Sequence, residues 1–420
     1  MAEWATDSNE ALKLSMVRAD ADKEMLGDDE TYEGFHPPFT YPIFGDDEKI
    51  YGYKDLTIDM RFASGSLTQF LSVKYAEKLG ASSTVDDVEG TLKDFIPPDY
   101  YTNEAEFAAK VEEDATSFKP LGKLIHSYSR PLPTHKGKGK ATESTETVDY
   151  EVYHATWETP GFREYHRRMQ LFILLYIEAG SYINDEEDQW EFVVLYEKRR
   201  RRHDDFAYHF VGYSSLYNFY HFPEKVRLRL SQFVILTPYQ RQSHGSALYS
   251  ALYQYVLSQD HIAELTVEDP AEAFEDLRDK NDLQLLFAND KFMQEGFSGD
   301  GLSHGGGRVG GVGKGGRSGR GGKHSEKGKL GPPVDKHWAE KWRKNLKIAG
   351  RQFNRLIEML ILSRLDPADL RAYRLQVKER LYRFNFETLA QLEKEERLEK
   401  LEETFQSVRE DYSRILALVR

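Results

Sequence analysis

The spacing of apolar residues predicts both strands and helices along this chain. Apolar and polar residues alternate over residues 56–62, which indicates a strand with one buried face. The apolar run at residues 233–236 predicts a second strand. After it, Leu248, Leu252, Tyr255 and Val256 recur at helical spacing. A third strand is expected at residues 262–267, so the pattern favours a fold of the α+β class.

Other segments extend this pattern towards both ends of the chain. A helix is expected to begin after Thr102 or Asn103, because either side chain can cap it. We also predict a helix at 162–180 and two strands, at 190–197 and 206–217. A helical seam near the C-terminus favours packing within the chain over a dimerising coiled coil. Its apolar positions are Leu398, Leu401, Phe405, Val408, Tyr412 and Ile415.

Composition narrows the classes of partner. The net charge is −13, with 70 acidic and 57 basic residues. This balance argues against binding a phosphate backbone as the main role, and it suits either a cationic partner or simple solubility. The chain has no cysteine, which excludes disulfides and thiolate metal ligands. The basic connector at 198–202 suits either a solvated hairpin tip or an import signal.

A polar loop between a strand and a helix is the strongest candidate for a ligand site. Residues 233–236 lead into Thr237 and Pro238, then into residues 240–246, then into the helix that contains Leu248. Backbone amides and the positive end of a helix macrodipole attract an anion placed there. The loop lacks the glycine spacing of a dinucleotide fold and the Lys-Ser/Thr ending of a nucleoside-triphosphate loop.

Two segments carry a family resemblance. Residues 231–249, SQFVILTPYQRQSHGSALY, resemble motif A of the GCN5-related acetyltransferases, Gln/Arg-x-x-Gly-x-Gly/Ala. Together with residues 266–282, TVEDPAEAFEDLRDKND, they are similar to the catalytic subunit of the type B histone acetyltransferase. The order of IFGDDE at 43–48, YGYK at 51–54 and DDVEG at 86–90 resembles the N-terminal domain of the same family.

This resemblance implies a fold and a division of the chain. We expect an α+β protein whose acetyltransferase core, a mixed sheet flanked by helices, lies at residues 148–297. A mixed α/β domain would occupy residues 1–147 and end in a mobile Lys/Gly loop. A disordered Gly/Lys/Arg-rich insert would span 298–333, because it offers almost nothing to bury. A helical domain would follow at 334–420.

The resemblance also implies an activity and partners. The enzyme would move acetyl from acetyl-CoA to lysine ε-amines in the N-terminal tail of free, newly made histone H4, by direct attack in a ternary complex. A WD-repeat histone-binding subunit, residence in cytoplasm and nucleus, and no metal, membrane or direct DNA binding are implied as well. A catalytically weak tail-binding module that keeps the fold is the alternative. An acetyltransferase for small amines is a less suitable interpretation, because the acidic and aromatic substrate positions span two domains, which suits an extended peptide.

Acetyl transfer to lysine requires a proton acceptor. At a pKa of about 10.4, only about one lysine in a thousand is neutral near pH 7.4, a cost of about 4 kcal/mol. The resemblance makes Glu268 the general base, with Asp269 and Glu178 as supporting carboxylates. Alternatively, Glu268 and Asp269 cap a helix that begins near Pro270.

Cofactor and substrate residues follow from the same resemblance. The backbone of Phe233, Val234 and Ile235 would pair with the pantetheine arm. The pyrophosphate would lie against Gln240, Arg241, Gln242, Ser243, His244, Gly245 and Ser246, and Ala271 stands where relatives often carry asparagine. The histone tail would contact Asp46, Asp47, Glu48, Trp190, Tyr217, Asn218 and Phe219.

Ser243 departs from the family pattern. It stands where the first glycine of the motif is expected. A Cβ there would crowd the pyrophosphate, or cost about 1–2 kcal/mol if the backbone is left-handed. A serine can also donate to phosphate or cap the helix. We expect acetyl-CoA binding that is weakened but present.

Overall fold

The computed structural model describes residues 4–27, 30–80, 83–131, 147–201, 205–298 and 328–419. Within it the chain forms two units, Met1–Gln259 and Asp260–Arg420. The predicted mobile loop and most of the predicted disordered insert lie outside the described residues. The four-part division of the chain stays a prediction.

The N-terminal part of the first unit contains a small mixed sheet and short helices. Parallel pairing of β2 with β5 and antiparallel pairing of β5 with β6 form a three-stranded sheet, while β1 pairs with β3 and β4 with β7. Ile58, Met60 and Phe62 have no exposed surface, as their alternation predicts. Asn103 caps α5 by accepting from the Ala105 and Glu106 amides. The elements are β1 (Ala5–Asp7), α1 (Ser8–Ala11), β2 (Leu12–Val17), α2 (Asp20–Lys23), α3 (Tyr41–Phe44), β3 (Lys49–Tyr51), β4 (Tyr53–Lys54), β5 (Thr57–Ala63), β6 (Gln69–Lys74), β7 (Glu77–Lys78), α4 (Val88–Lys93) and α5 (Glu104–Ser117).

The rest of the first unit is built on five antiparallel strands in the order β8-β9-β10-β11-β12. The helix predicted at 162–180 is two shorter helices and ends at Tyr176. One face of α8 presents Leu248, Leu252 and Val256, all without exposed surface. The elements are β8 (Lys123–Pro131), β9 (Thr147–Thr156), α6 (Phe162–Met169), α7 (Leu171–Tyr176), β10 (Trp190–Arg200), β11 (Phe206–His221), β12 (Lys225–Ile235) and α8 (His244–Ser258).

The second unit is mainly helical. The C-terminal seam packs inside it, because Phe405 contacts Tyr373 and the Tyr412 hydroxyl donates to Glu358 at 2.8 Å. Packing within the chain is therefore confirmed, although Leu398 at the start of the seam is exposed. The elements are β13 (Ile262–Val267), α9 (Glu272–Phe287), α10 (Asp290–Phe297), α11 (Lys336–Asn345), α12 (Gly350–Ser363), α13 (Leu370–Phe384), α14 (Phe386–Leu389) and α15 (Lys394–Val419).

These elements confirm the predicted fold class, a mixed α/β protein with a helical C-terminal region. Among the described residues, no helix is long and apolar enough to cross a membrane.

Candidate active site

Strand β12 leads into a tightly tied polar loop. After Ile235 the chain makes a single 3-10 turn, Thr237–Tyr239. The side-chain amide of Gln240 donates back to the Ile235 carbonyl at 2.8 Å, and that of Gln242 donates to the Pro238 carbonyl at 2.9 Å. The loop therefore folds back on the end of its own strand before helix α8 begins.

The backbone of this loop is left-handed at two residues that are not glycine. Arg241 has φ 58° and Ser243 has φ 61° with ψ 16°. Ser243 is the N-cap of α8, yet its side chain makes no capping hydrogen bond. The left-handed backbone conformation considered for Ser243 is therefore present, and the serine side chain does not cap the helix.

Two hydrogen bonds connect the loop and the first residue of α8 to strand β8. The His244 ring is buried, and its Nδ1 lies 2.7 Å from the Tyr128 hydroxyl. Burial, helped by the charge of Arg130, lowers the pKa of His244 to about 4, so the ring is neutral at pH 7. Arg130 donates to the Gln242 carbonyl. Sequence reasoning missed Arg130 and Tyr128, because no local pattern links strand β8 to a loop more than a hundred residues away.

Two ties connect the turn that contains Glu178 to strand β12 and to the 3-10 turn that follows this strand. On one side, the Tyr176 hydroxyl accepts from the Thr237 amide at 3.3 Å and lies 2.8 Å from its Oγ1. On the other side, the Gln232 side chain donates to the Ser181 carbonyl at 2.9 Å. Glu178 lies between them and is exposed. In the described part of the chain, no hydrogen bond or ion pair occupies its carboxylate.

A third tie connects the same turn to the acidic loop at residues 46–48. The Ala179 amide donates to the Tyr41 hydroxyl. The Tyr41 amide in turn donates to Glu48 at 3.2 Å, and the Thr40 amide donates to the same oxygen at 2.9 Å. These bonds, led by that from Thr40, hold the pKa of Glu48 below its ordinary value. The Glu48 carboxylate is thus engaged in holding its own loop.

The other two acids of that loop remain at the surface. Asp46 and Asp47 are exposed, and Asp47 accepts a hydrogen bond from the Tyr51 hydroxyl at 3.0 Å. A negative surface therefore lies on the loop that Tyr41 ties to the Glu178 turn.

The four predicted substrate residues on β10 and β11 divide between the two faces of the sheet. Trp190, Tyr217 and Phe219 form a row of rings, with centroid distances of 4.8 and 4.6 Å between neighbours. Asn218 points to the opposite face, where its side chain donates to Glu191 at 2.5 Å. The structure therefore brings together the three aromatic residues and separates Asn218 from them.

Glu268, Asp269 and Ala271 belong to the second unit. Glu268 and Asp269 are exposed directly after β13, and Asp269 has φ 30°. The N-cap of α9 is Ala271, with φ −64° and ψ 152° and no side-chain capping bond. Neither carboxylate occupies the cap position, which lies two residues beyond Asp269 and three beyond Glu268.

Comparisons with known proteins place the chain in a family. Residues 4–178 match the model described as "Histone acetyl transferase HAT1 N-terminus", and residues 323–366 match "Fungal HAT1, C-terminal". Two similar proteins are each named "Histone acetyltransferase type B catalytic subunit". The one from Cryptococcus neoformans var. neoformans serotype D is 51% identical over 435 residues, covering 100% of this chain and 98% of that protein. The one from Mycosarcoma maydis is 44% identical over 400 residues, covering 90% and 82%.

A solved aminoglycoside acetyltransferase from an uncultured soil metagenomic sample is 13% identical to this chain. The match covers 30% of this chain and 82% of that one, with a TM-score of 0.22, too low to bear on the fold. The full-length relatives are decisive. The chain belongs to the family of type B histone acetyltransferase catalytic subunits, and it is an acetyltransferase.

Proposed function

We propose that this enzyme acetylates lysine ε-amines in the N-terminal tail of free, newly made histone H4, with acetyl-CoA as the acetyl donor. Family membership supports the reaction class. The observation that carries the proposal is the set of ties that join the Glu178 turn to strand β12 and to the acidic loop. They group, within the first unit, a strand suited to the donor, an unoccupied carboxylate and a negative surface suited to a basic tail.

The loop after β12 suits a phosphorylated donor. Helix α8 is fifteen residues long and begins at this loop, so its first backbone amides and the positive end of its dipole point towards the loop. Arg130 adds a cation that contacts the Gln242 carbonyl. The backbone of Phe233, Val234 and Ile235 would hold the pantetheine arm, and residues 240–246 would hold the pyrophosphate. Only the backbone of β12 would contact the donor, so the buried side chains of this strand can keep their packing.

Acetyl-CoA supplies an activated acetyl thioester, and the chain supplies the proton acceptor. Glu268 would take the proton of the lysine ammonium, and the freed nitrogen lone pair would attack the acetyl carbonyl carbon directly in a ternary complex, with the CoA thiolate as the leaving group. Asp269 and Glu178 favour the ammonium in the site before that transfer. These two carboxylates help to bind the ammonium but, because they stabilise it, they do not lower the roughly 4 kcal/mol needed to deprotonate lysine, so the proton acceptor Glu268 is required. The chain has no cysteine that could carry the acetyl group as a thioester.

Charge and aromatic surface suit an extended basic peptide. Asp46 and Asp47 attract lysine and arginine, and a net charge of −13 raises the encounter rate with a cationic tail. The row formed by Trp190, Tyr217 and Phe219 offers ring surface to aliphatic lysine stems. A WD-repeat histone-binding subunit as partner, and residence in cytoplasm and nucleus, complete the proposal.

Transfer of radiolabelled acetyl to free H4 and to nucleosomes tests this function. We expect label on free H4 and much less on nucleosomes. Glu268→Gln should reduce transfer by a factor of about 100 or more, while the affinity for a tail peptide stays unchanged. Transfer that survives Glu268→Gln would contradict the assigned base.

The second candidate is a tail-binding module with weak catalysis. It is favoured by one observation, the left-handed backbone imposed on Ser243 at the donor loop. Tail binding without measurable acetyl transfer by the wild-type chain would support it over the first candidate.

A further inference from the structure

A buried ion cluster lies under the donor loop in the first unit. Its centre is Glu197 on β10, which has no exposed surface and binds Arg18 at 2.6 Å. Arg199 also donates to Glu197 and reaches Glu30 with its other nitrogens. The cluster, defined as Arg18, Glu30, Glu197 and Arg199, therefore joins the N-terminal segment to the central sheet.

Tyr239 connects this cluster to the loop. Its hydroxyl donates to Glu197 Oε2 at 2.6 Å and accepts from Arg18 Nη2 at 2.9 Å. The ring is 2% exposed, and it contacts Tyr32 at 5.1 Å and His244 at 5.8 Å between centroids. Tyr239 directly precedes residues 240–246, so its position sets where the loop begins.

The charges of the cluster make this anchor persistent near neutral pH. Burial disfavours the ionised form of Glu197, but the guanidinium groups of Arg18 and Arg199 outweigh it and hold its pKa below the ordinary value. Burial and the charge of Glu197 raise the pKa of Tyr239 well above its ordinary value. The tyrosine therefore keeps its proton and donates to a carboxylate that stays ionised.

We propose that Tyr239, held by Arg18 and Glu197, is a positioning residue for the acetyl-CoA phosphates. The inference depends on the proposed donor site at residues 240–246. Two residues in this loop, Arg241 and Ser243, have a left-handed backbone. Such conformations persist only where the surrounding structure enforces them. Tyr239 supplies that enforcement at the first end of the loop, and it makes the N-terminal segment part of the donor site.

Tyr239→Phe is the direct test, because it removes one hydroxyl and leaves Arg18 paired with Glu197. We expect the KM for acetyl-CoA to rise about five-fold, with kcat at saturating acetyl-CoA unchanged within two-fold. Amide hydrogen exchange across residues 240–246 should become faster. Tyr373→Phe is the matched control, because Tyr373 is buried in the second unit and its hydroxyl has no partner among the described residues. The control should change neither quantity.

A second variant keeps the test decisive. Arg18→Lys retains the buried positive charge but loses the forked guanidinium that reaches both Glu197 and Tyr239. It should raise the acetyl-CoA KM and speed loop exchange in the same direction as Tyr239→Phe. Unchanged KM and unchanged loop exchange in both variants would overturn the inference. If the wild-type chain failed to bind acetyl-CoA, the proposed function would fail and the role of Tyr239 towards the phosphates with it; loop exchange that still responded to Tyr239→Phe would leave only a structural role for Tyr239 in holding residues 240–246.

Discussion

Ser243→Gly offers a quantitative test of the donor loop. The Ser243 backbone, at φ 61°, costs a residue with a side chain about 1–2 kcal/mol relative to glycine. Glycine in turn makes the unfolded chain more flexible, which costs about 0.4–1 kcal/mol. No side-chain capping bond is lost, since Ser243 makes none. The balance predicts that Ser243→Gly stabilises the protein by about 0.5–1 kcal/mol.

Urea unfolding at constant m-value measures this change. Ser413→Gly is the control, because Ser413 lies exposed within α15, where glycine is less favourable than serine by about 0.5 kcal/mol. The two substitutions should therefore change stability in opposite directions. Equal destabilisation by both would refute a left-handed Ser243.

The same variant tests whether the serine crowds the donor. If the Cβ restricts the loop, Ser243→Gly should lower the acetyl-CoA KM about two- to five-fold. A stabilised variant with unchanged KM would keep the backbone argument and end the crowding hypothesis.

Three further predictions follow from other parts of the first unit. Burial lowers the pKa of His166 to about 3 and that of His244 to about 4, so the unfolded chain takes up these protons at a higher pH than the folded chain does. The free energy of unfolding should therefore be full above pH 6.5 and fall as the pH falls, by roughly 1–2 kcal/mol for each residue at pH 5. Urea midpoints at pH 5 and 7 measure this change, and equal midpoints would contradict it. Tyr176→Phe should reduce kcat several-fold at saturating substrates by loosening the Glu178 turn, whereas an unchanged kcat would show that the Tyr176 hydroxyl is not needed to hold Glu178 for the reaction. Phe172→Ala should cost about 3–5 kcal/mol in urea unfolding, because Phe172 has no exposed surface and stacks on Phe210; a loss below 1 kcal/mol would contradict that packing.

Local patterns predicted several elements well. The strand at residues 262–267 and the cap at Asn103 are where the sequence indicates them, because each depends on neighbours within a few residues. The face of Asn218 was also within reach of the sequence. Side chains alternate along a strand, so Asn218 could not share a face with both Tyr217 and Phe219.

Long-range ion pairs were beyond local reasoning. For the basic connector at 198–202, the interpretation as a solvated hairpin tip is wrong at Arg199, whose side chain is 6% exposed. Its partner Glu30 lies 169 residues away in the sequence, and Asp22 likewise pairs with Arg201 across 179 residues. Only the fold brings these carboxylates to the arginines, which buries Arg199 and leaves Arg201 partly buried.

A crystal structure of the chain with acetyl-CoA and an H4 tail peptide would show whether the donor, the acceptor lysine and Glu268 meet in one site. In this complex we expect the pantetheine arm to pair with the backbone of residues 233–235 and the pyrophosphate to contact residues 240–246. We expect the Glu268 carboxylate to lie within hydrogen-bond reach of the acceptor lysine, directly or through one water. Acetyl-CoA bound elsewhere, or Glu268 turned away from the lysine nitrogen, would contradict this expectation.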